Sequence, residues 1–309
     1  MTTTAWRRAS TSSRSASERP AMNWQLITAA ERTAFEDNGW LAITDAVDPA
    51  RVDALVGAID QCSPTRRENQ NVADVLWRHD AFLELIDNPK VLPKVADLLG
   101  SPNIWVNHSH YNVNYPDATT SPPRYYWHRD GGGIHTDIGD VVRPAFAIKI
   151  GFYLTPVVTT AHGPTYIIPH SHQSRAPLPP PAAPPDEVEA VPILIPAGTA
   201  VLYDGRLTHS GKSINSSSSV RKAIFIQYAF RWLMPVDAMS VEPLRDRISD
   251  PIRRQLLGFT ASMQNLGGIA PGRSSVYHPG PDDLPLRTAL VRAYNEARME
   301  FQPPTYAHV

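Results

Sequence analysis

Residues 124–133 read RYYWHRDGGG, and the fold turns on how that stretch is taken. Three consecutive aromatics behind an Arg predict a strand with one buried face, halted by Gly131, Gly132 and Gly133. Strand side chains alternate with a period of two, so His128 and Asp130 are expected to point the same way. An imidazole and a carboxylate on one face make two legs of a metal clamp. One more His would complete the two-His, one-carboxylate set that holds Fe(II) and leaves open positions for substrate and oxygen.

The remaining strands are expected downstream of residue 104. IWVNHSHYNVNY (104–115) alternates and is rich in β-formers. FAIKIGFYLT (146–155), YIIP (166–169), VPILIP (191–196), TAVLYD (199–204) and KAIFIQYAFRW (222–232) follow, with a Pro196-Ala197-Gly198 turn between two of them. Several short strands separated by Gly/Pro turns predict a sandwich or jelly roll, a mainly β (α+β) fold with its core at about 104–232. In a jelly roll the strands around one mouth come from distant parts of the chain. The third ligand is therefore sought far from residue 130, and TAVLYDGRLTHSG offers His209, entering a strand after a turn. Twelve residues later Arg221 opens the longest strand, where a guanidinium would grip a keto-acid carboxylate bidentately.

Before residue 104 the chain reads as helical. Thr28 with Glu31 is a capping box, and Asn38-Gly39 is a stop. WLAI (40–43) is a short strand. Asp48-Pro49 starts a helix over 49–61 with Val52, Leu55, Val56 and Ile59 on one face. Segments 83–87 and 90–99 are expected to be helical, the second closing at Gly100. Beyond Trp232, helices are expected at 252–258 and about 286–299, with an irregular stretch over 265–287. Residues 1–22, rich in Ser, Thr and Arg, are expected to be a disordered tail ahead of a single domain over 23–309. The proline-rich stretch 176–187 is expected to be a stiff exposed loop.

Composition narrows the classes. The 309 residues are 42% hydrophobic and 19% charged, enough for a real core. A net charge of −1 gives no reason to expect nucleic acid or an anionic membrane as partner. The single Cys62 excludes an internal disulfide framework and a cysteine-based zinc or iron–sulfur site, and suits a reducing, cytoplasmic setting. No apolar run approaches membrane-spanning length, and no secretory pattern opens the chain. Thirty prolines favour strands and loops over a helical bundle.

The residues quoted carry a resemblance to the phytanoyl-CoA dioxygenase family of Fe(II)/2-oxoglutarate oxygenases over roughly 23–260. Its carriers are WHRDGGG, the KIGFYL strand with its HGPTYIIPHSH continuation, LYDGRLTHSG and RKAIFIQYAFRW. The chain departs from the family at Pro169-His170-Ser171-His172, where a Gly often precedes the Ser, and in the Ser216–Ser219 run ahead of Arg221. The resemblance implies a double-stranded β-helix. It also implies iron on His128, Asp130 and His209, and 2-oxoglutarate on Arg221 with Ser210, Asn114 and Lys149 nearby. O2 would be the oxidant and a small molecule the substrate. Asp130 implies hydroxylation, since related halogenases have a small residue in place of that carboxylate. Lys149 has separate support, because a lysine inside an apolar strand needs an anion.

Tyr126, His110 and His135 are expected to line the substrate pocket, while Tyr125 and Trp127 are expected to pack into the core. His135-Thr136-Asp137 is a second H-x-D, less suited because it follows the glycines. His108-Ser109-His110 and His170-Ser171-His172 are H-x-H pairs, expected to be bonded to backbone rather than to a metal. Two other classes remain open: a cupin-type metal enzyme without a keto acid, and a non-catalytic binding protein on the same fold.

Overall fold

The computed structural model describes residues 23–63, 68–117, 123–131, 133–138, 142–211, 214–259 and 284–299. The expected tail over 1–22, the irregular stretch up to 283, and the side chain of His135 lie outside the described residues.

The front end forms where local chemistry directs it. Helix α1 (Ala29–Asn38) carries the full capping box: Thr28 Oγ1 accepts from Glu31 N–H, and the Glu31 carboxylate accepts from Thr28 N–H at 2.8 Å. Gly39 ends it in the left-handed region at φ 79°. Helix α2 (Pro49–Cys62) starts on Asp48, which accepts from Arg51 N–H, and buries Val52, Leu55 and Ile59. The expected helix at 83–87 is instead a single turn, α3 (Asp80–Leu83), followed by i→i+3 bonds such as Leu85 N–H to Phe82 O at 3.3 Å. Helix α4 (Leu92–Leu99) closes at Gly100 in the left-handed region.

The front end also supplies two strands, β1 (Trp40–Ile43) and β2 (Gln70–Ala73). They flank a six-stranded antiparallel sheet in the order β1-β7-β4-β9-β3-β2. The inner strands are β3 (Ile104–Asn114), β4 (Ala147–Tyr153), β7 (Thr199–Asp204) and β9 (Arg221–Phe230). A smaller sheet pairs β5 (Thr165–Ile167) with β6 (Val191–Pro192) and with β8 (His209–Gly211). One face of the large sheet, with Ile148, Ile150, Leu202, Ile224, Ile226 and Tyr228, packs under the front-end helices and α6 (Pro251–Leu256). Its other face meets the small sheet across a second cluster that includes Tyr153, Ile167, Tyr203 and Phe225. This is the antiparallel jelly roll that the strand pattern predicts. The last helix, α7 (Pro285–Ala297), buries Leu286, Leu290 and Tyr294. Among the described residues no helix is long and apolar enough to cross a membrane.

Three local expectations fail for physical reasons. Residues 124–128 are not a strand. Only isolated bridges remain, at Tyr125 and at His128, the latter a reciprocal two-bond bridge to His209. The neighbouring ladder positions are taken by side chains: Ser210 Oγ accepts from Tyr126 N–H at 2.6 Å, and the His128 ring turns back onto Tyr126 O at 2.8 Å. VPILIP keeps only two strand residues against β5; Ile193 still donates to Thr165 O, and Ile195 pairs instead with Val157 in an isolated bridge. The proline-rich stretch is not wholly exposed: Ala183 and Pro185 are buried. Ala183 O accepts from the Trp127 indole at 2.8 Å, and Ala182 N–H donates to Tyr125 O. Tyr125 and Trp127 accordingly pack with Tyr166 and Ala183 in a cluster of their own.

Candidate metal centre

Alternation sorts the large sheet into two faces, and the inner face carries the polar residues. Past a bulge at Asn107, β3 sends Tyr111 and Val113 to the helical side, which leaves His108, His110, Asn112 and Asn114 on the lumen side. On β4 the same alternation places Lys149, Gly151 and Tyr153 inward, and on β7 it places Tyr203 there.

Three side chains converge at the open end. His128, Asp130 and His209 each offer a ligand atom, and these atoms lie within 4.8 Å of one another. The two imidazole centroids are 4.2 Å apart. His128 and His209 are held by their mutual bridge, while Asp130 sits in the turn before α5 (Gly133–Ile138). The shared orientation thus comes from a bridge and a turn, not from strand alternation.

The donor chemistry fits a cation. His128 Nδ1 meets Tyr126 O at 2.8 Å and His209 Nδ1 meets Leu207 O at 2.9 Å. A carbonyl only accepts, so each Nδ1 bears the proton and each Nε2 presents a lone pair. Burial pushes His209 down to about 4, with His128 and Lys149 adding to the effect against Asp130, so it stays neutral at pH 7. Burial works to raise Asp130, but the Lys149 ammonium and both imidazoles outweigh it and hold the acid well below the carboxylate range. Asp130 Oδ1 accepts from Lys149 Nζ at 2.5 Å; Oδ2 is sealed from solvent with no hydrogen-bond partner. A buried anionic oxygen left bare beside two imidazole lone pairs is the pattern a divalent metal ion satisfies.

Arg221 lies at the inner end of the lumen, opposite Asn114 in register. Its Nη1 donates to Gly163 O, and its Nε is buried without a hydrogen-bond partner. Desolvation lowers its pKa, while Tyr153 and Tyr203 work the other way. The Tyr153 hydroxyl contacts those of Tyr203 at 2.7 Å and Thr165 at 3.1 Å. Tyr203 also stacks near His209, centroids 6.0 Å apart, so its ring spans the ground between the clamp and Arg221. Asn114 Oδ1 is likewise buried without a hydrogen-bond partner. Tyr153, Tyr203 and Thr165 were not singled out in the sequence; the inward parity of Lys149, 151 and 153 would have marked the first.

The other expected residues fall out differently. Lys149 binds Asp130 directly. Ser210 braces the Tyr126 backbone and donates to Gly211 O. Tyr126 is 82% exposed, so it stands outside the cavity rather than lining it. Asp137 is exposed on α5. His170 and His172 bond to Asp37 O and Glu36 O, tying that turn to the end of α1. His108 is bonded to Asp237 and to His110, and neither imidazole to backbone among the described residues. The cavity beside Asp130 is walled by Gly131, Ile134 and Arg143, and also by Leu233, Met234 and Val236 from a loop that no motif marks.

A two-sheet barrel with two imidazoles and a carboxylate at its mouth is the frame of the jelly-roll metal oxygenases. Solved structures share it at low identity. HygX from Streptomyces hygroscopicus, with nickel and 2-oxoglutarate bound, matches at TM-score 0.55 and 14% identity, covering 68% of this chain and 90% of its own. The α-ketoglutarate-dependent carbocyclase SnoK from nogalamycin biosynthesis matches at TM-score 0.53 and 18% identity, covering 72% and 91%. The epimerase SnoN, in complex with Fe3+, α-ketoglutarate and nogalamycin RO, matches at 0.51 and 15%, covering 65% and 82%. No curated protein matches the sequence. The phytanoyl-CoA dioxygenase (PhyH) family matches residues 35–223, more than half of the chain, and the protein belongs to that family. It is thereby a non-haem iron, 2-oxoglutarate-dependent oxygenase.

Proposed function

We propose that this protein oxidises a C–H bond of a small molecule, hydroxylation being the expected outcome, with release of succinate and CO2. The iron ion supplies the activation of oxygen; the chain supplies its ligands and the walls around it. His128 Nε2, His209 Nε2 and Asp130 Oδ2 would hold the metal. Lys149 keeps Asp130 ionised and occupies its other oxygen, which leaves Oδ2 for the cation. Arg221 would take the far carboxylate of 2-oxoglutarate, with the Tyr153, Tyr203 and Thr165 hydroxyls around it. Between the clamp and this socket Tyr203 excludes water.

The observation that carries the proposal is the bare, sealed Asp130 Oδ2 beside two imidazoles whose tautomers both point a lone pair at it. A natural product is the substrate class we favour, because no basic cluster suited to a coenzyme A tail stands out in the sequence. The cavity wall, apolar at Ile134, Leu233, Met234 and Val236 with Arg143 among them, suits a compact amphipathic molecule. A substrate screen with Fe(II), ascorbate and 2-oxoglutarate tests it. Succinate should form, and chelation should stop it. Metal-dependent turnover with no succinate would place the protein with keto-acid-independent cupin enzymes instead.

A further inference from the structure

A second set of linked side chains adjoins the cavity, its inner histidine within reach of the Lys149 and Asp130 charges. Asp237 Oδ2 accepts from Ser109 N–H at 2.9 Å and lies 3.1 Å from His108 Nδ1; its Oδ1 accepts from Met239 N–H. His108 Nε2 lies 2.9 Å from His110 Nδ1. Burial works against Asp237 ionising, but the His108 contact and the two backbone N–H bonds outweigh it and lower its pKa. An ionised carboxylate only accepts. His108 Nδ1 therefore bears a proton; in the singly protonated ring His108 Nε2 accepts, and His110 Nδ1 donates to it. The one group left over is His110 Nε2, a lone pair. It has no hydrogen-bond partner among the described residues, and the parity of β3 turns the His110 ring to the lumen side, onto Phe225.

The His110 ring is also clamped in position. It lies flat on Phe225, centroids 4.7 Å apart and planes within 9°, and Phe225 has room only because residue 151 is glycine. A Cβ there would sit 2.8 Å from the Phe225 ring. Burial, Lys149 and His108 push His110 down to about 3, against the smaller opposing pull of Asp130 and Asp237, so it is neutral at pH 7. A neutral acceptor facing a lumen that holds Lys149 invites an uncharged donor and disfavours a second cation.

We propose that His110 binds substrate, accepting a hydrogen bond from a hydroxyl group through Nε2, with His108 and Asp237 as positioning residues that fix its tautomer. This rests on substrate occupying the cavity beside Asp130, as the proposed function holds. Asn107, Gln227 and Val236 line that cavity and neighbour His108 and Asp237, Gln227 across the strand pair, so the linked side chains adjoin the cavity and His110 lies two residues further along β3.

The test uses the full-length, metal-free protein with 15N-labelled histidine rings, which keeps it independent of iron. At pH 7 the His110 resonances, assigned by their loss in His110→Gln, should show Nδ1 protonated and Nε2 bare. Cyclohexanol should move the Nε2 resonance saturably; cyclohexyl methyl ether, alike except for the O–H, should leave it still. Asp237→Asn should blur the tautomer and weaken cyclohexanol binding about tenfold, the weight of one hydrogen bond. If His110→Gln does not fold, Asp237→Asn supplies the assignment. A proton on Nε2, or equal or absent responses to the two probes, overturns the proposal. The oxygenase reading fails separately, by lack of iron-dependent succinate.

Discussion

His209 stands at the meeting of three contacts: a backbone bridge to His128, a ring contact to Tyr203, and a place in the clamp. His209→Ala should abolish Fe(II)-dependent decarboxylation of 2-oxoglutarate while the protein keeps its circular dichroism spectrum; retained turnover would move the metal elsewhere. Arg221→Ala removes a charge-assisted contact of about 3 kcal/mol. The half-saturating 2-oxoglutarate concentration should rise about a hundredfold and that for substrate should stay put; equal shifts in both would reject the carboxylate role. His110 gives a pH prediction. Its folded value of about 3 lies below the ordinary 6.5, so between those limits the unfolded chain binds more protons. Stability of the metal-free protein therefore falls on acidification through that window, by about 2 kcal/mol at pH 5 relative to pH 7. Denaturant midpoints at the two pH values check it, with a smaller loss expected in His110→Gln. The clamp residues were legible because few residue types bind iron and a jelly roll draws its mouth from distant segments. Asp237 was not legible, since one acid in a loop carries no period.

At the scale of elements, legibility follows how local the cause is. Thr28 with Glu31, Asp48 with Pro49, and Gly100 act within a few residues, and all three signals describe the observed helix ends. Residues 124–128 misled because their pairing is settled from outside, by the Ser210 hydroxyl and by His209. VPILIP misled because hydrophobic alternation does not say which partner a residue takes, and Ile195 leaves β5 to bridge Val157. Strand β4 offers the sharpest test of packing. Gly151→Ala brings a methyl to 2.8 Å from Phe225 and 3.0 Å from Tyr153, both buried. It should destabilise the protein by about 1–3 kcal/mol, read as a lower urea midpoint, because neither ring has space to yield. An unchanged midpoint would mean that Phe225 swings freely.

Across the whole molecule, distant segments are fastened by buried ion pairs. Arg253 on α6 meets Asp87 of the front end through Nε at 2.7 Å and Nη2 at 2.9 Å, with both side chains at least nine-tenths covered. Arg253→Ala removes both charge-assisted bonds from a buried carboxylate and should cost about 2–3 kcal/mol, seen as a fall in melting temperature. Lys222 at the start of β9 also grips Asp60 on α2, a pair whose carboxylate faces solvent. The sequence divided the chain into a helical leader and a barrel, and the leader's helices lie close to where it placed them, apart from the turn at Asp80–Leu83. What it concealed is that β1 and β2, four residues each, leave the leader and zip onto β7 and β3. An excised barrel starting at residue 104 would bare the outer backbone rows of both strands, two adhesive rims ready to stack copy upon copy. Anyone grafting a different leader onto this barrel has to carry those two ribbons across with it.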